Sequence, residues 1–210
     1  MENYVITISR KFSSNGHAIA RRLGELLSIP VYDRSAVEAR VQMLGQDGLA
    51  EEEKTETVRI RPEWEDTAHP FFSALFRKDS QEQIPDEARI EFDMQAQVIR
   101  SLAKEGPCII LGRCGDQIFR EEKRHLNVFI YASEEKRIQN SMDMLHTDRK
   151  AAKALILQED RVRENYRKRF APDLGHDTDG RGLLIDSGLF GVEKTALLLA
   201  QAATYLFLEN

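Results

Sequence analysis

The chain has 210 residues, 41% apolar and 31% charged, which is enough for one sizeable core and ordinary for a globular protein. Its formal net charge of -5 excludes a chain-wide basic field of the kind that draws a protein to nucleic acid or a membrane. Any anion site must therefore be local. Cys108 and Cys114, in "CIILGRC", form neither a CxxC pair nor a zinc pattern and read as buried thiols in a reducing compartment. "MENYVITISR" enters a strand pattern without the basic and apolar regions of a leader. The late apolar run "TALLLAQAATYLFL" is interrupted by polar residues and too short to span a bilayer. A cytoplasmic protein is the expectation.

In chain order, the first strand signal is "YVITIS" (4–9), followed by a small polar loop and an amphipathic helix over 16–27. That layout binds anions through free N–H groups and the helix dipole. The usual phosphate loop reads GxxxxGK[ST]. With Gly16 as the second glycine, Lys11 falls at the first glycine, His17 at the lysine and Ala18 at the hydroxyl. The motif fails, but the strand–loop–helix geometry remains. Ser13, Ser14 and Asn15 are small donors, and asparagine tolerates left-handed backbone. An imidazole is a weaker phosphate ligand than an ammonium, because its charge varies around neutrality. The same residues also fit a plain helix cap beside a surface histidine.

Next come strand "IPVYD" (29–33) and a helix over 34–44. Residues 46–85 break the pattern: "QDGLAEEEKTE" is acidic, and "RPEWEDTAHPFFSALFRKD" holds the single Trp with several Phe. This reads either as a cap over the site or as an irregular excursion with its own small core. A helix over 86–105 leads to strand "CIILGR" (108–113), a helix over 114–122, strand "LNVFIYA" (126–132) and helices over 133–145 and 147–169. Strand "GLLIDS" (182–187) and an apolar helix over 191–208 close the chain, and that helix is either internal or a homodimer seam. Short apolar strands alternating with helices predict a doubly wound parallel α/β sheet. Ligands of such sheets sit beyond the carboxyl ends of the strands, which singles out Ser9, Asp33, Arg113, Ala132 and Asp186. The 147–169 helix carries Arg149, Lys150, Lys153, Arg161, Arg163, Arg167, Lys168 and Arg169. A solvated face is the default meaning of such a run.

Five segments together resemble the cytidylate kinase-like family of the P-loop nucleoside monophosphate kinase group. They are "ISRKFSSNGHAIARRLGELLSIPVYDRSAV" (8–37), "CIILGRCGDQIFRE" (108–121), "LNVFIYASEEKRI" (126–138), "LILQEDRVRENYRKRF" (155–170) and "LLIDSGLFGVEKTALLL" (183–199). They occur in order over most of the chain, and residues 46–100 match poorly. The resemblance implies a three-layer P-loop nucleotide kinase fold: a parallel sheet of about five strands, helices on both faces and a helical lid. It implies one domain over 1–210, with 46–100 as acceptor-binding or cap region and 147–172 as lid. It also implies phosphoryl transfer from ATP, with Mg²⁺, to a small acceptor such as CMP, and no nucleic-acid or membrane partner. The alternative is a nucleotide-binding sensor or scaffold without turnover.

On this resemblance Ser13, Ser14, Asn15, Gly16, His17 and Ala18 hold the nucleotide. Family loops carry glycines near Ser13 and Asn15 and a basic residue near His17, and this chain departs at all three. Arg161 and Arg163 match the lid arginines that close over the γ-phosphate, a role suited to an always-charged bidentate guanidinium. About 200° apart on a helix, they would not face the site together. Arg113 is a contact to the acceptor. Asp116 either holds Arg113 or reads the acceptor. Asp33 bonds the acceptor or a water on the metal, and Arg137 reaches phosphates. Each has an alternative as a helix cap or ion-pair partner. No direct protein ligand for a metal is expected.

Overall fold

In the computed structural model, which describes residues 3–46, 86–172 and 180–208, five parallel strands form one sheet in the order β2-β3-β1-β4-β5. They are β1 (Val5–Arg10), β2 (Val31–Tyr32), β3 (Cys108–Leu111), β4 (His125–Tyr131) and β5 (Leu183–Asp186). Seven helices lie among the described residues. They are α1 (Gly16–Leu27), α2 (Arg34–Gln46), α3 (Asp86–Glu105), α4 (Gly115–Ile118), α5 (Glu134–Leu145), α6 (Arg149–Phe170) and α7 (Ser187–Phe207). The doubly wound expectation holds, and each expected element is present with shifts at its ends. Most of the 46–85 segment lies outside the described residues.

The inner strands β3, β1 and β4 are short and apolar because both faces are covered, whereas Leu184 of the edge strand β5 is exposed. On one face Ile6, Ile8, Ile109, Leu111, Val128 and Ile130 meet Ile19, Ala20 and Leu23 of α1 and Ala196, Leu199 and Ala203 of α7. On the other, Val5, Cys108 and Ile110 meet Val37 of α2 and Val98, Ile99 and Leu102 of α3. The alternation between Ile109 and Ile110, or Val5 and Ile6, is the period of two of a pleated strand. The apolar residues of α1 recur at three- and four-residue steps, so one stripe is buried. Ser28, at φ 54°, ends that helix, its N–H returning to the carbonyls of Glu25 and Gly24.

Helix α7 buries one stripe and leaves Leu197, Leu198 and Tyr205 exposed. It is interrupted at Gly191, whose φ of 72° and ψ of 175° are not helical. Asp186 caps its start, accepting from the amides of Gly188 and Leu189, so this residue serves a turn. No helix among the described residues is long and apolar enough to cross a membrane.

Candidate functional site

β1 and β3 are neighbours in the sheet, and the loops leaving their carboxyl ends hold an unusual concentration of left-handed backbone. Among the described residues, six non-glycine residues have positive φ. Ser28 and His146 end α1 and α5, where this conformation is common. The other four are Ser13 (60°) and Asn15 (59°) after β1, and Arg113 (59°) and Cys114 (51°) after β3. Each costs an L-residue about 1–2 kcal/mol, and such outliers cluster where function dictates backbone direction.

In the first loop that backbone turns the carbonyls outward. The Arg10 carbonyl accepts from Arg163, that of Lys11 from the Ser14 hydroxyl and that of Phe12 from Arg137. The Ser13 carbonyl accepts from Asn140 and that of Ser14 from Ser187. The Ser13 hydroxyl accepts from Ser141 at 2.7 Å. Beneath the loop Phe12 is fully buried with Ile138, Ala152 and Ile156. Five carbonyls are thus pinned by side chains, three of them from α5 and α6. No protein acceptor among the described residues takes the amides of Ser13, Ser14, Asn15, Gly16 or Ala18. These amides meet the first turn of α1, which makes a concave nest of donors suited to phosphate oxygens.

His17, at the loop-lysine position, is buried, and its Nε2 lies 3.4 Å from the guanidinium of Arg10. Arg10 was not among the sequence candidates, because it stands before the loop. A methyl group at Gly16 would come 2.8 Å from Cγ of Arg10, and one at Gly112 would come 2.6 Å from its Nη1. The arginine therefore spans from the start of α1 to the end of β3.

In the loop after β3, the Arg113 side chain is only 7% exposed and donates to Glu38 at 2.8 Å, with its guanidinium 5.7 Å from the centre of the Tyr166 ring. Glu38 also receives Arg34 at 2.7 Å. The alternative in which Asp116 holds Arg113 is corrected here. Asp116 pairs with Arg181 at 2.9 Å, both almost wholly buried, and Arg167 stands 4.0 Å away. Arg181 further donates to Ser9 and Asn127, so three contacts converge on its one nitrogen Nη1. Each carboxylate is shared by two arginines, which leaves positive charge to spare for an acidic ligand. Burial, partly opposed by Arg113, pushes the Tyr166 hydroxyl up to about 12.

Asp33 is fully buried. One oxygen caps α2 through the amide of Ala36 and the hydroxyl of Ser35, while the other has no hydrogen-bond partner. Arg137 is turned inward, donating to Asp160 at 2.7 Å and to the Phe12 carbonyl, so it shapes the loop instead of facing outward. Arg163 lies over the Phe12 ring at 5.4 Å while Arg161 on the same helix is exposed, as their angular separation requires. Besides Arg10, the residues missed from sequence are Arg34, Glu38, Arg167 and Arg181. The sequence signal for Arg34 was its place directly after Asp33. Arg181 carried none.

Strand order and loop together define a P-loop kinase fold. The family model of cytidylate kinase-like proteins matches residues 5–189, and the chain belongs to that family. No curated protein matches it. Among solved structures, an uncharacterized protein from Eubacterium ventriosum ATCC 27560 is similar at 19% identity and a TM-score of 0.70, covering 97% of this chain and 99% of that one. TT1252 from Thermus thermophilus is 19% identical with a TM-score of 0.52, covering 96% and 98%. Shikimate kinase from Bacteroides thetaiotaomicron is 9% identical with a TM-score of 0.51, also covering 96% and 98%. At these identities the likeness shows the fold alone.

Proposed function

We propose that this chain transfers the terminal phosphoryl group of ATP to a small phosphorylated acceptor, most simply a pyrimidine nucleoside monophosphate such as CMP. The observation that carries this reading is the pair of strained loops on adjacent strands. One presents amides that no acceptor among the described residues takes, and the other places Arg113 in an arginine-rich cluster around Glu38. Phosphoryl transfer asks the protein mainly for positioning and for charge stabilisation. An acceptor oxygen forms the new bond to the γ-phosphorus as the bond to the β,γ-bridging oxygen breaks, and the electron pair leaves on ADP. The loop amides fix the polyphosphate, Arg113 and Arg34 orient the acceptor, and Asp116 with Arg181 holds the pocket floor. Arg161, on α6 acting as a lid, is exposed and able to reach the γ-phosphate.

No group of three or more His, Cys, Asp or Glu among the described residues is arranged to hold a metal. Mg²⁺ in kinases is held largely by phosphates and water. The second oxygen of Asp33 fits that role as acceptor from a metal-bound water; the ion supplies charge neutralisation when bound. Two unpaired thiols suit a reducing, cytoplasmic setting.

A second reading, a nucleotide-binding sensor without turnover, is favoured by His17 and Ala18 at the lysine and hydroxyl positions. One experiment separates the two. Thermal denaturation with ATP, ADP, GTP and CMP, with and without Mg²⁺, is paired with ADP release over a panel of acceptors. Stabilisation with turnover that Arg113→Ala abolishes supports the kinase, and stabilisation without turnover supports the sensor. Nucleotides that shift nothing overturn both, since ligand at 100 times its Kd adds about 2.7 kcal/mol.

A further inference from the structure

We propose that Arg10, not His17, supplies the cationic contact to the nucleotide polyphosphate that a loop lysine supplies in the standard motif. This inference rests on the nucleotide-binding reading above and adds a phosphate-binding residue to it. The guanidinium of Arg10 lies against the backbone of Gly112 and 3.4 Å from Nε2 of His17.

Arg10 is the last residue of β1, the central strand, and pairs with Ile130 of β4, so the sheet fixes its Cα from that side. Its stem runs past the first residue of α1, and the near-contact at Gly16 shows that the passage admits no side chain there. The head group reaches Gly112, directly before the strained pair Arg113 and Cys114. It therefore lies between the amide nest that would hold the donor phosphates and the arginine that would hold the acceptor. Its carbonyl is tied to Arg163, so α6 fixes the backbone from which the side chain springs.

The chemistry favours it over the histidine. A guanidinium is charged at every accessible pH and offers a planar fork of donors matched to phosphate oxygens. An imidazole carries charge over only part of the range. The chain thus combines a histidine after the loop with an arginine before it, and the fold brings the two side chains together at the loop's mouth.

The test measures affinity for ATP and for inorganic tripolyphosphate by isothermal titration calorimetry, with CMP titrated in parallel. The proteins are wild type, Arg10→Gln, Arg10→Lys and His17→Gln, each first checked for a cooperative melt. Expected is a loss of tenfold or more in ATP and tripolyphosphate affinity for Arg10→Gln, partial recovery in Arg10→Lys and a smaller loss for His17→Gln, with CMP affinity kept within about twofold. Unchanged affinity in Arg10→Gln, or a greater loss in His17→Gln, overturns the assignment while leaving the nucleotide site standing. Should Arg10→Gln fail to fold, Arg10→Lys decides: affinity equal to wild type with loss in His17→Gln overturns it. Wild-type protein without affinity for either polyphosphate overturns both the assignment and the reading beneath it.

Discussion

Asp160 accepts the backbone amide of Phe12 at 2.8 Å across 148 residues of chain, and its other oxygen holds Arg137 at 2.7 Å. The carboxylate thus ties the loop after β1 to α5 and α6 at one point. Arg137 also reaches the Phe12 carbonyl, so both polar groups of that peptide region end on one buried ion pair. Asp160→Ala strands the guanidinium, whose side chain is only 10% exposed. Removing one partner of a buried pair costs about 3–5 kcal/mol, a fall in Tm on the order of 10 °C for a chain this long. The double change Arg137→Met with Asp160→Leu should recover much of that loss yet bind ATP poorly, because the Phe12 amide stays unanchored. Thermal melts with and without ATP check this. A double variant no more stable than Asp160→Ala would show that the charge was not the issue.

Asn15 sits at φ 59° and ψ 24° as the residue before α1. Asparagine tolerates this region, glycine enters it freely, and alanine does not. Asn15→Ala is expected to lower stability by about 1 kcal/mol, whereas Asn15→Gly should hold or slightly raise it. Ser13→Gly relieves a similar strain but loses the buried hydrogen bond from Ser141, worth about 1 kcal/mol, so its net change should be near zero. Urea denaturation measures all three. Equal losses for Ala and Gly at position 15 would mean that the side-chain amide, not the backbone, sets the preference.

These positions also mark what the sequence could convey. The five strands were legible because apolar runs covered on two faces need no partner information, and α1 because its stripe is periodic. The loop after β1 was legible as strand, small polar run and helix. Its mechanics were not. Phe12 reads as one apolar residue in a polar loop, yet it is the anchor buried under α5 and α6. Its clamps at Asn140, Ser141, Asp160 and Ser187 are more than a hundred residues away in sequence. The pairing of Asp116 with Arg181 was hidden likewise, since proximity along the chain suggested Arg113, whereas the left-handed turn at 112–114 aims that arginine toward Glu38.

Arg181 and Asp116 form the most enclosed ion pair near the site among the described residues, with side chains 1% and 2% exposed. Arg181→Ala leaves Asp116, among the described residues, with only Arg167 at 4.0 Å, and a loss of about 3 kcal/mol or more is expected. Arg181→Lys should restore part of the loss, because Ser9, Asn127 and Asp116 all meet the single nitrogen Nη1, which a three-donor ammonium can replace while losing the planar contact over Phe129. Calorimetric melts of the two variants provide the check. Full restoration by lysine would reduce the role of Arg181 to charge alone.

Both thiols are buried and unpaired. Burial, with a smaller effect of Glu105, pushes the Cys108 thiol up to about 12. Burial and the charge of Asp116 push Cys114 up as well, against three nearby arginines. The reactive thiolate is therefore scarce in the native state, and iodoacetamide at pH 8 should leave both unmodified until urea unfolds the chain. Mass spectrometry after timed quenching reads the result. Rapid native labelling of Cys114 would mean that the turn after β3 opens readily.

His125 begins β4 half-buried, Nε2 lying 2.6 Å from the Thr7 hydroxyl and the ring beside Phe119. Burial holds the imidazole below its ordinary value, although Asp116, the Phe119 backbone and Glu122 pull the other way. The unfolded chain takes up this proton near pH 6.5, the usual value for histidine, while the folded chain resists it. Where the unfolded state binds more protons, stability rises with pH. This residue's contribution is therefore intact above about pH 6.5 and is lost as the solution is acidified through the folded value. His125→Asn keeps a polar partner for Thr7 and removes the titration. Urea denaturation at pH 7.5 and 5.5 should show wild type losing more stability on acidification than the variant. Parallel losses in the two proteins would assign the acid sensitivity to other groups.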